Sequence, residues 1–89
     1  MSDALEYEID MRRRRLEYSE HLRAIEKQQS KLFHELKAET DRDACHDLTR
    51  RLIELREEHE QTHKLNYFTY IEIKEWKRDQ PTVQHKRPV

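Results

Sequence analysis

The sequence predicts an all-α fold: an antiparallel helical hairpin, coiled-coil-like, that dimerises into a four-helix bundle. Three observations point there. About half of the chain is Ala, Glu, Lys, Leu or Arg and it contains no glycine, a bias that belongs to long helices when a helical period accompanies it. Apolar residues recur at alternating steps of three and four along both halves. The two halves also mirror each other about a polar break near Thr40.

The first helix is predicted over residues 3–38. Its seam runs through Met11, Tyr18, Leu22, Ile25, Gln29, Leu32 and Leu36, with Arg15 at the step between Met11 and Tyr18. Ser2 is the expected N-cap, and Asp3, Glu6 and Glu8 place negative charge where the helix dipole favours it. Leu5, Ile9 and Leu16 lie one position off this stripe, so the seam is expected to drift around the helix toward its start.

A turn is expected at 39–41, inside the polar stretch from Ala38 to Asp43, with Thr40 or Asp41 capping a fresh helix. No Gly or Pro forces this break, which leaves one uninterrupted helix as the alternative.

The second helix is predicted over 42–79, with its seam at Cys45, Leu48, Leu52, Leu55, His59, Thr62, Asn66, Thr69, Ile73 and Trp76. Folded about the turn, Leu36 faces Cys45, Leu32 faces Leu48, and Tyr18 faces Thr62, the constant pairing that an antiparallel hairpin requires. The polar seam residues Gln29, His59, Thr62 and Asn66 should fix register at some cost in stability. From Leu65 to Trp76 the chain becomes rich in aromatic and β-branched residues. A strand is the competing assignment, but a lone strand would leave its backbone unpaired, so helix is expected. The hairpin forms a single domain over 1–80, and Pro81 opens a flexible basic tail over 81–89.

Without glycine the chain can form neither a Walker phosphate loop nor a glycine-rich dinucleotide fingerprint. With 18 basic and 19 acidic residues it also lacks the net positive charge of a general nucleic-acid binder. The single Cys45 fits a reducing compartment, and the first ten residues carry four acids and no base, unlike a secretory leader. No apolar run reaches membrane-spanning length, so a cytoplasmic protein is expected. Ser2, Ser19 and Ser30 follow no strand, and Cys45 sits on the seam as a small core residue, so nucleophilic catalysis has little support.

His59-Glu60-Gln61-Thr62-His63 spells H-E-x-x-H, which on a helix stacks two imidazoles one turn apart with a carboxylate between them. These five residues resemble the motif of the zincin metalloproteases, and the resemblance is confined to them. Such sites take a third ligand from a later segment and sit beneath an edge strand, whereas only 26 residues follow His63. No enzyme is expected. His21 should lie near the level of His59 and His63, with Glu17 one turn before it, so an inter-helix Zn²⁺ site is geometrically allowed. Hydrogen-bonded interface histidines are the simpler reading, and no cofactor is expected. Cys45, His46 and His34 form a second, less complete cluster near the turn.

Arg12, Arg13, Arg14 and Arg15 point to all sides of a helix, and Glu8 with Arg12 and Asp10 with Arg14 are i, i+4 pairs in the favourable order. In a hairpin this run lies level with Tyr67 and Phe68. The expected function is a small non-enzymatic interaction module, a regulator or adaptor that binds itself or a protein partner. Its contact surface would be Tyr67, Phe68, Tyr70, Ile71 and Trp76, rimmed by Arg12 to Arg15. The rival is a nucleic-acid-binding regulator that uses the same basic and aromatic end for phosphates and unpaired bases.

Overall fold

A computed structural model of the chain describes residues 3–79, so Ser2 and the tail over 81–89 lie outside the described residues. Two helices pack against each other as a hairpin: α1, Asp3–Ala38, and α2, Arg42–Asp79. The aromatic segment of α2 is helical throughout, which removes the strand assignment. A radius of gyration of 20.3 Å, against about 12 Å for a compact domain of this size, marks a rod with a single packed seam. Among the described residues, no helix is long and apolar enough to cross a membrane.

Asp41 is the residue that restarts the helix. Its Oδ2 accepts the Ala44 N–H at 2.9 Å and its carbonyl accepts the Cys45 N–H at 3.0 Å, the geometry of an N-cap three residues before its target. Glu39 closes the other side, where its carboxylate accepts the Asp41 N–H at 3.0 Å and its own N–H donates to the Leu36 carbonyl. No described residue has a positive φ, so the turn has no need of glycine. Two side chains, Asp41 and Glu39, with ordinary backbone angles break the continuous helix that the sequence left open.

Met11 and Ile25 of α1, and Leu52, Leu55, Thr62, Thr69 and Ile73 of α2, are the buried residues. Every other position of the predicted seam is half-buried, including Arg15, His59, Asn66 and Trp76. The seam therefore follows the three-four rhythm along both helices. Two helices cannot enclose a side chain on all sides, and even the deepest apolar residue, Met11, keeps 2% of its surface exposed.

One expectation is corrected. Leu5, Ile9 and Leu16 are 51%, 48% and 57% exposed, so the seam does not drift onto them. Their spacing of four and seven puts them on one face, and that face lies well over a quarter-turn from Met11, Tyr18 and Leu22. Glu8 and Tyr7 continue the seam toward the start of α1 instead.

Candidate functional site: the open end of the hairpin

Opposite the turn, the start of α1 and the end of α2 lie side by side and bring most of the sequence-predicted contact residues together. Tyr7 and Trp76 meet across the seam with ring centroids 5.2 Å apart and planes tilted by 46°, an arrangement aromatic quadrupoles favour. Trp76 is thereby half-buried, and Ile71 is half-buried as well. Tyr67 and Phe68 are 55% and 60% exposed, with their rings 6.0 Å apart, and Tyr67 also lies 6.4 Å from the Tyr70 ring. Together they form an aromatic ridge on the outside of α2.

The four arginines have separate environments. Arg12 donates from Nε and Nη2 to Glu8 Oε2 at 2.9 and 2.7 Å. Arg14 lies 3.4 Å from Asp10, with both side chains more than half exposed. Arg15 donates from Nε to Asn66 Oδ1 at 3.1 Å and rests 5.0 Å over the Tyr70 ring. Lys74 Nζ stands 5.5 Å from the centroid of the same ring, so Tyr70 holds two cations through its π face. Arg13 makes no ion pair among the described residues. Lys77 of α2 reaches Glu8 at 3.6 Å, which makes Glu8 the carboxylate that ties the two helices together at this end. The Arg12 hydrogen bond holds the Glu8 carboxyl below the ordinary 4.5, outweighing the opposing effect of burial, and the charges of Lys77 and Arg12 lower it further.

Midway along the rod, the histidines do not converge. His21 Nε2 shares a hydrogen bond with Glu58 Oε2 at 2.8 Å, and His59 Nε2 shares one with Glu26 Oε2 at 2.9 Å. Each bond crosses between the helices and each uses a different glutamate. His63 is exposed, and Thr62, a spacer residue of the H-E-x-x-H string, is buried in the seam. Among the described residues, no group of three or more His, Cys, Asp or Glu is placed to hold a metal ion. The Cys45 thiol near the turn donates to the Glu39 carbonyl at 3.6 Å.

No family model, no curated protein and no solved structure matches the chain. Its function therefore has to be read from its own surfaces. Sequence reasoning missed one participant at the open end, Tyr7, and it placed Asn66 on the seam without its hydrogen bond to Arg15. Stepping three and four residues back from Met11 reaches Glu8 and Tyr7, so that signal was available in the helical period.

Proposed function

We propose that this chain is a small non-enzymatic protein-interaction module, a regulator or adaptor that engages a protein partner through its open end. The contact surface is the aromatic ridge of Tyr67, Phe68 and Tyr70, continued by Ile71 and Trp76 and rimmed by Arg12 to Arg15. The observation that carries this reading is the exposure of Tyr67 and Phe68 beside a cation-flanked Tyr70. Large rings held in place by neighbouring rings lose little freedom on binding, and Tyr and Arg are frequent anchors of protein interfaces. Self-association into a four-helix assembly belongs to the same reading, because a two-helix rod of this length buries few apolar side chains.

Nucleic acid is the weaker reading. Arg12 and Arg14 already pair with carboxylates and Arg15 is engaged by Asn66 and Tyr70, which leaves Arg13 as the arginine of the run with no ion pair among the described residues. Affinity capture from the host with the intact chain and with a Tyr67→Ala, Phe68→Ala variant tests the proposal. A protein held by the former and lost by the latter, at unchanged helicity, is the expected result. Capture that is indifferent to both substitutions would overturn it. Binding of a single-stranded oligonucleotide that weakens steeply with salt and vanishes in Arg13→Glu would install the rival.

A further inference from the structure

α1 carries a second apolar stripe that the hairpin leaves outside. Leu5, Ile9 and Leu16 share the face turned away from α2, each about half exposed. The charges around them are segregated along the chain. Asp3, Glu6, Glu8 and Asp10 precede Met11, and Arg12, Arg13, Arg14 and Arg15 follow it. A helix with this pattern repels a parallel copy of itself and attracts an antiparallel one, since a twofold axis near Met11 lays the acids of each copy over the arginines of the other.

From this stripe and its charge order we infer that the outer face of α1 is a self-association surface, on which a second copy of the chain docks antiparallel through residues 5–16. The register follows from the same residues. Leu5 lies opposite Leu16 of the second copy, and Ile9 lies opposite Arg12, whose aliphatic stem covers it. Arg13 then falls between Glu6 and Asp10 of the other chain. On each copy, Glu6, Asp10 and Arg13 line one shallow depression together with Ile9, so the twofold lays matching flanks against each other. Arg13 is also the arginine of the run that has no ion pair within the hairpin among the described residues, and the second copy supplies two carboxylates for it.

This inference gives a specific face to the self-association in the proposed function, and it leaves the aromatic ridge of α2 to another partner. A contact of about three helical turns is small beside the roughly 1,200–2,000 Å² of stable complexes, so the dimer should assemble and dissociate with concentration. Because the overlap lies at the open ends, the twofold axis brings the ridges of both copies near the centre of the assembly.

Sedimentation of the full chain over a wide concentration range tests the inference. The wild type should pass from monomer to dimer, and Leu16→Lys should remain monomeric with its helicity intact. Arg13→Glu, whose flank is then wholly acidic, and Glu6→Arg with Asp10→Arg, whose flank is then wholly basic, should each be monomeric alone. An equimolar mixture of the two should regain the dimer mass, which a merely unfolded variant could not do. A wild type that stays monomeric, or a mixture that stays monomeric, overturns the inference. The Tyr67→Ala, Phe68→Ala variant separates the two proposals: it should keep the dimer, and its dissociation would move self-association to the ridge and overturn the α1 face.

Discussion

From the turn to the middle of the rod, the seam is closed by Leu32, Leu36, Leu48, Leu52 and Leu55 around Ile25. From the middle to the open end it is closed by Arg15, Thr62, Asn66 and Thr69, with Met11 and Ile73 as the aliphatic residues among them. The exteriors are reversed. Among the described residues, two of the large exposed apolar side chains, Phe33 and Ile53, belong to the turn half, and the other eight belong to the open half. A polar seam is weaker but specific in register, and an apolar exterior is available to other molecules. Cohesion and exposed apolar surface therefore occupy opposite ends of one rod, and each end can be changed separately.

The largest expected effect comes from breaking the turn half. Leu52→Ala or Leu55→Ala removes a buried leucine from a seam with few others, at a cost of about 2–3 kcal/mol, and helicity measured by circular dichroism should collapse at or below room temperature. Asp41→Ala deletes the cap that restarts α2 and should cost about 1 kcal/mol, read as a lower Tm. In the open half the sign reverses. Thr62→Val replaces a buried hydroxyl in the seam with a methyl of similar size and should raise the Tm by an amount corresponding to roughly 0.5–1 kcal/mol.

The smallest effect is a pH dependence at Glu8. Its carboxyl titrates lower in the folded chain than its ordinary value, so the stabilisation it brings is complete above that value. As pH falls through the folded value, the ties to Arg12 and Lys77 are lost. Thermal melts in acid should therefore show a drop for the wild type that is smaller in Glu8→Gln. Equal drops in the two proteins would remove Glu8 as the tie at the open end.

Much of this fold is legible in the sequence because packing of two helices depends on little beyond periodicity and mirror symmetry. The seam from Met11 to Leu36 and from Cys45 to Trp76 follows from steps of three and four alone. What the period does not report is the role of a stripe that lies off the seam and stays half exposed. Leu5, Ile9 and Leu16 are as apolar as the seam, and hydrophobicity indicates that they should be covered without indicating by what. The histidines were legible as hydrogen-bonded interface groups, but their partners were not. Spacing within one helix places His59 and His63 together, but the glutamates opposite, Glu26 and Glu58, belong to cross-helix pairings that spacing within a helix does not reveal. Of the open-end surface, the exposed rings were legible by composition and the place of Trp76 on the seam by period, while its ring contact with Tyr7 was not.

The compact turn also sets an order of events in folding. The contact of Cys45 with Glu39 closes a loop of six residues, His59 with Glu26 closes 33, and Arg15 with Asn66 closes 51. Loop-closure entropy makes the last of these about 2 kcal/mol more costly than the first if formed alone, but each costs little once its neighbour nearer the turn is made. Association should therefore nucleate beside Asp41 and zip outward, with the Tyr7–Trp76 contact the last to form and the first to open. The end that carries the exposed rings is thus also the end expected to have the shortest native lifetime, so a binder that clasped it would act as a latch on the whole zipper.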